Sequence, residues 1–71
     1  MADKLRSPVT GVVWQLGAAE GTALASDATV LMLESMKMEI PVTMPRAGRL
    51  LRLLVKEGDS VTEGQPLAEF E

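Results

Sequence analysis

The chain contains no cysteine and no histidine among its 71 residues, and these two absences remove most catalytic chemistry at the outset. Without cysteine there are no disulfides, thiolate nucleophiles or Cys-based zinc sites. Without histidine the commonest general base and metal ligand are missing, and with them every Ser-His or Cys-His arrangement. Aromatic residues are nearly absent too: Trp14 and Phe70 are the only two, and both are assigned to the core. Long apolar runs are lacking. The longest, Val30 to Leu33, suits a buried strand and falls far short of the roughly 18 apolar residues that a membrane-crossing helix needs. Positive charge is scarce, with seven basic against ten acidic residues and a net charge of −3, which argues against a nucleic-acid partner. An autonomous enzyme is not expected from such a chain. Nothing at Met1 to Arg6 resembles a targeting segment, and the expected location is cytoplasmic.

What remains is a composition that is 46% hydrophobic and 24% charged, that of a folded protein. Residues 1–71 are expected to form a single domain, since a chain this short buries only about 60% of its unfolded surface and has none to spare for a second core.

The chain repeats itself at an offset of 37 residues. Pro8 then falls on Pro45, Gly11 on Gly48, Leu16 on Leu53, Glu20 on Glu57, Gly21 on Gly58 and Glu34 on Glu71. Apolar residues match at Val13/Leu50, Leu24/Val61, Val30/Leu67 and Leu33/Phe70. Residues 8–34 and 45–71 therefore share one grammar. A Pro-x-x-Gly turn leads into a strand (Val12 to Leu16; Arg49 to Val55). A Glu-Gly turn, a short polar link and a second strand follow (Thr29 to Ser35; Pro66 to Phe70). Short strands with turn punctuation predict an all-β sandwich or barrel, and two equivalent halves predict two small sheets related by a pseudo-twofold axis. The helix-forming composition of Ala18 to Met38 is outweighed by Gly17, Gly21, the Ser26-Asp27 turn signal and the absence of a 3.6-residue period. From Glu39 to Met44 the alternation places Ile40, Val42 and Met44 on one face, and Pro41 marks an edge strand.

Between the halves, residues 35–39 must reverse the chain, which sets Lys37 at a hairpin tip. Met36 and Met38 flank it. Residue types alone leave two readings open: methionines pointing inward around an outward lysine, as alternation produces in a half-buried strand, or an apolar pair exposed at a turn.

The string Glu34-Ser35-Met36-Lys37-Met38-Glu39 resembles the attachment motif of the biotinyl/lipoyl carrier domains. The resemblance extends over nearly the whole chain. Lys4 to Ser7 looks like the first strand of that family and Pro8-Val9-Thr10-Gly11 like its P-x-x-G turn. Val55 to Val61 resembles its V-x-x-G-D-x-V segment, and Gly64-Gln65-Pro66-Leu67 its G-Q-x-L segment. The resemblance implies a flattened barrel, or barrel-sandwich hybrid, of two four-stranded antiparallel sheets. It also implies a carrier without catalytic residues of its own, close to the short stand-alone biotin carboxyl carrier proteins and monomeric when isolated. Lys37 then matches the lysine that receives covalent biotin from a biotin protein ligase. Glu34, Ser35, Met36, Met38, Glu39 and Gly21 match positions around it that serve recognition by the ligase or by partner subunits. The implied partners are the biotin carboxylase and carboxyltransferase of a biotin-dependent carboxylase such as an acyl-CoA carboxylase. Lipoyl relatives generally place aspartate before and alanine after the lysine, so Met-Lys-Met favours biotin, with lipoate as the alternative cofactor. An unmodified β-sandwich adaptor is the third reading, and it has no need of a lysine at the tip.

Two departures from the family pattern stand out. Gly21-Thr22 and Asp27-Ala28 replace a usual Gly-Asp and a second glycine, and Asp27 is expected to adopt the left-handed conformation that glycine would supply. The chain also lacks the inserted thumb segment of some acetyl-CoA carboxylase carriers. Elsewhere, Arg46, Arg49 and Arg52 are read as a solvated face and not an anion site. Asp59 and Glu63 are read as turn carboxylates that accept from backbone N–H groups and not as metal ligands, and Glu20 and Glu57 as parts of turn structure.

Overall fold

Alternating apolar and polar residues bounded by glycine and proline produce strands and nothing else among the described residues. A computed structural model describes residues 2–71. Its strands are β1 (Asp3–Arg6), β2 (Gly11–Leu16), β3 (Ala23–Leu24), β4 (Thr29–Ser35), β5 (Met38–Thr43), β6 (Gly48–Leu53), β7 (Ser60–Val61) and β8 (Pro66–Phe70). They form two four-stranded antiparallel sheets, ordered β1-β8-β6-β3 and β5-β4-β2-β7. The expected fold class is thus observed. β4 and β8 have the expected bounds, whereas β6 stops at Leu53, two residues before the expected Val55. Pro41 lies on the edge strand β5, where its missing N–H leaves no gap in the ladder.

The core lies between the sheets. Val13, Val30, Leu31, Leu33, Met44, Leu50, Leu67, Ala68 and Phe70 are essentially removed from solvent. Val30 and Leu67 sit at register shifts, Val30 between Thr29 and Leu31 on β4, and Leu67 opposite the Leu5/Arg6 shift of β1. Such bulges turn an additional side chain inward.

The offset of 37 residues relates the hydrogen bonds as well as the side chains. The Gly21 N–H donates to the Leu50 carbonyl at 2.6 Å and the Gly58 N–H to the Val13 carbonyl at 2.8 Å. The Gly17 N–H donates to Val30 at 2.8 Å, and the Leu54 N–H to Leu67 at 2.9 Å. Two carboxylates complete the pattern: Glu57 Oε2 accepts from the Leu16 N–H at 3.0 Å, and Glu20 Oε2 accepts from the Leu53 N–H at 2.7 Å. Each glutamate therefore ties its own turn to the end of a strand in the other half. Glu20→Ala and Glu57→Ala should each lower unfolding stability by about 1 kcal/mol. The double variant should lose close to the sum, since the two bonds share no partner; urea denaturation monitored by circular dichroism measures both.

Positive backbone φ values occur where the turns need them. Gly21, Gly58 and Gly64 take φ near +90°, and Asp27, at the position equivalent to Gly64, takes φ 70°. The aspartate fills the left-handed site as expected. Asp59 Oδ2 accepts from the Lys56 N–H at 3.0 Å, the turn-capping role read from the sequence, whereas Glu63 is engaged through its own backbone N–H, which donates to Thr10 Oγ1, and not through its carboxylate. The arginines are exposed, but each is engaged: Arg46 pairs with Asp3 and lies over the Phe70 ring, Arg49 donates to the Gly21 carbonyl, and Arg52 approaches Glu69.

One core assignment is corrected. Phe70 is buried, but Trp14 is half exposed, at 50% of its accessible surface. The ladder between β2 and β4 shifts register between Val13 and Gln15, so Trp14 is the extra residue of a bulge. Val13 and Leu16 face the core on either side of it, which leaves Trp14 and Gln15 on the outer face.

Candidate functional site

β4 and β5 form a hairpin in which Leu33 pairs with Ile40, Glu34 with Glu39 and Ser35 with Met38. Only Met36 and Lys37 remain for the turn. Both have positive φ, 52° and 65°, the signature of the two-residue type I′ connection whose twist matches that of the flanking strands. This turn is normally built from Asn-Gly because L-residues with larger side chains pay about 1–2 kcal/mol each in the left-handed region. Here a methionine and a lysine occupy it. Neither is held there by burial: Met36 is 92% exposed, Met38 64%, and Lys37 is exposed. The inward-pointing alternative for the methionines is therefore not what the chain adopts. No hydrogen bond or ion pair holds the Lys37 ammonium among the described residues. Met36→Asn should raise unfolding stability by about 0.5–1 kcal/mol, because asparagine tolerates φ > 0 and no packing is lost. A thermal melt a few degrees higher is the expected readout.

The base of the hairpin is fixed firmly. Ser35 Oγ donates to the Thr10 carbonyl at 2.8 Å, and Thr10 Oγ1 accepts from the Glu63 N–H at 3.1 Å. Gly11 starts β2 so close to the Glu34 carbonyl that any side chain would collide with it. Thr10 and Gly11 thus buttress the hairpin, a role that the Pro-x-x-Gly turn signal alone did not reveal. β5 then carries the chain from Met38 to Thr43, and residues 44–47 deliver it to Gly48, which lies against the Glu71 carbonyl. The hairpin tip and the last residue are therefore at opposite ends of a body whose extents are 32 × 18 × 17 Å.

The other expected recognition residues divide in two. Glu34 and Glu39 are exposed and directly opposite each other on the hairpin, with Ser35 between Glu34 and the tip. Gly21 is not brought to the hairpin: its backbone bonds to Leu50 and Arg49 of β6 in the other sheet. Among the described residues no group of three or more carboxylates gathers as a metal site. The chemistry available at the tip is that of one free primary amine on a rigid post. A group that forms an amide with lysine fits it, because the amine is unpaired and nothing covers it.

Comparisons with known proteins agree on the family. The model of the biotin/lipoyl family, described as that of biotin-requiring enzymes, matches residues 3–70. The chain is 38% identical over 68 residues to the biotin-dependent acyl-coenzyme A carboxylase alpha3 subunit of Mycobacterium leprae, covering 96% of this chain and 11% of that protein. It is 39% identical over 62 residues to the biotin/lipoyl attachment protein of Bacillus subtilis, covering 87% of this chain and 85% of that one. Among solved structures, a single-chain, multi-domain long-chain acyl-CoA carboxylase superposes with a TM-score of 0.92 at 38% identity, over 97% of this chain and 7% of that one. The urea carboxylase of Kluyveromyces lactis superposes with a TM-score of 0.94 at 32% identity, over all of this chain and 6% of that one. The chain thus corresponds to a small part of each carboxylase and to most of the attachment protein. With two pseudo-symmetric sheets, a lysine hairpin at one end and a family match from Asp3 to Phe70, this chain belongs to the biotin/lipoyl domain family.

Proposed function

We propose that this domain is a biotin carboxyl carrier: Lys37 receives biotin from a biotin protein ligase, and the loaded arm serves a biotin carboxylase and a carboxyltransferase. The observation that carries this reading is the unpaired Lys37 amine at the apex of a rigid hairpin between two exposed methionines. Biotin, when attached, supplies a ureido nitrogen that accepts and releases a carboxyl group.

The chain's own residues contribute position. The Lys37 Nζ would form the amide with the carboxyl carbon of biotin that the ligase has activated with ATP as an acyl-adenylate, AMP leaving as the acyl–phosphate bond breaks and the nitrogen giving up a proton. The domain has no histidine to take that proton, and its removal falls to the ligase. Met36 and Met38 present flexible, polarizable side chains that adapt to more than one partner surface. The Ser35–Thr10 bond and the close approach at Gly11 keep the post from bending. A tethered carrier raises the local concentration of its group at each site it visits.

Incubation with a biotin protein ligase, biotin and ATP should add one biotinyl group to the intact mass, and peptide mapping should place it on Lys37. An unchanged mass overturns the reading. The likeness to a biotin/lipoyl attachment protein supports lipoate as the second cofactor, and the same assay with a lipoate ligase tests it.

A further inference from the structure

The duplicated fold carries its own control. Positions 37 residues apart occupy equivalent places on the outer faces of the two sheets, so any difference between those faces is not demanded by the scaffold. On the sheet β1-β8-β6-β3 the outer face is charged and internally paired around one apolar side chain, Leu51, which stands at the place equivalent to Trp14 and is 38% exposed. Lys4 lies opposite Glu69 with 3.7 Å between Nζ and Oε2, Arg52 Nε approaches Glu69 Oε1 at 3.8 Å, and Arg49 donates to the Gly21 carbonyl at 2.7 Å. At the equivalent places on the sheet β5-β4-β2-β7 stand Pro41 for Lys4, Met32 for Glu69, Gln15 for Arg52 and Val12 for Arg49. Pro41 and Met32 are cross-strand partners, as Lys4 and Glu69 are. Val12 is 41% exposed, and Trp14 beside it 50%. The hairpin sheet therefore shows an apolar outer face of Val12, Trp14, Met32 and Pro41.

That face continues to the hairpin. Val12 is the ladder partner of Glu34, and Glu34 faces Glu39 directly. Like charges opposite each other across a ladder are destabilising, yet no cation lies within ion-pair distance of either carboxylate among the described residues. The complement of this face is an apolar pocket with a positive rim.

The geometry points to the outer face of the hairpin sheet as the docking surface for the enzyme that acylates Lys37, with Trp14 entering an apolar pocket and an arginine or lysine meeting Glu34 and Glu39. This inference rests on the carrier reading above. Reach decides the occupant. Before loading, the reactive nitrogen stands only one lysine side chain from the backbone, so the modifying enzyme must close over the hairpin itself and meets the adjoining face. Once loaded, the long arm lets other enzymes work at a distance. An anchoring aromatic in a desolvated pocket is the residue on which such an interface depends most.

The test is steady-state loading by a biotin protein ligase with biotin and ATP, read by intact mass, on the full chain. Trp14→Ser should raise KM for the domain about 10-fold or more with kcat little changed, the pattern of lost binding in ground and transition states alike. Met32→Glu combined with Pro41→Lys transplants the ion pair of the opposite face; it should fold and show a similar rise. Leu51→Ser, at the place equivalent to Trp14 on the other sheet, should leave KM unchanged. Trp14 is the only tryptophan, so a domain labelled with 5-fluorotryptophan has one fluorine resonance, which should shift on addition of the ligase. Wild-type KM in both Trp14→Ser and the paired variant, with an unmoved resonance, overturns the docking surface while the carrier reading stands. Failure of the unaltered domain to load at all overturns the carrier reading and the inference with it.

Discussion

Lys37→Arg should abolish loading completely while leaving the domain as stable as before. Arginine keeps the positive charge, the length and the unbranched stem, so the exposed turn loses no packing; substitutions at such sites usually change stability by less than about 0.5 kcal/mol. The guanidinium cannot form the amide, being protonated under all ordinary conditions with its nitrogens delocalised. The variant retains Lys4 and Lys56, which makes it a strict test of site. Lys4 lies along β1 and approaches Glu69. Lys56 is exposed, but it follows β6 in a turn whose backbone is capped by Asp59, not at a hairpin apex. Intact mass after prolonged incubation with ligase should show no addition, and thermal melts of the two proteins should superimpose. A biotinyl group on either remaining lysine would show that exposure alone suffices and that the hairpin apex is irrelevant.

Much of the architecture was legible because turn chemistry is local. Pro8/Pro45, Gly11/Gly48 and Gly21/Gly58 recur at one offset, and the same offset relates hydrogen bonds such as Glu57 to Leu16 and Glu20 to Leu53. Asp27 was readable for the same reason: it stands where the other half has Gly64, and aspartate is among the few residues that tolerate positive φ. Trp14 was not. Burial of an aromatic is a tendency of composition, whereas its direction here is set by a one-residue bulge against β4, and bulges leave no periodic mark in the sequence. The tip was half legible. A chain reversal at residues 35–39 follows from the repeat, but Met-Lys is not a turn dipeptide, so nothing in those residue types announces two successive left-handed conformations. The placement of Gly21 away from the hairpin was likewise hidden, because sequence distance from Lys37 does not say to which sheet a turn belongs.

Leu33→Ala should do the reverse of Lys37→Arg, costing the fold while sparing the reactive group. Leu33 is fully buried on β4, opposite Ile40 on the hairpin strand. Truncating such a leucine typically costs about 3–5 kcal/mol, the lost transfer energy plus the cavity left behind. A chain of 71 residues has a total stability of about 4–11 kcal/mol at the usual figure per residue, and without cysteine it has no disulfide to limit the loss. The midpoint of thermal unfolding should therefore fall by on the order of 20 °C. Lys37 itself lies four residues further on, in a turn whose conformation depends on its own backbone and on the Ser35–Thr10 bond, so the folded fraction should still be loaded. Biotinylation near 10 °C should approach the wild-type rate and should collapse near 40 °C, tracking the folded population measured by circular dichroism. Loading that stays low at both temperatures would mean that core packing at Leu33 sets the geometry of the tip directly, and that post and scaffold are not separable in the way the hydrogen-bonded hairpin base implies.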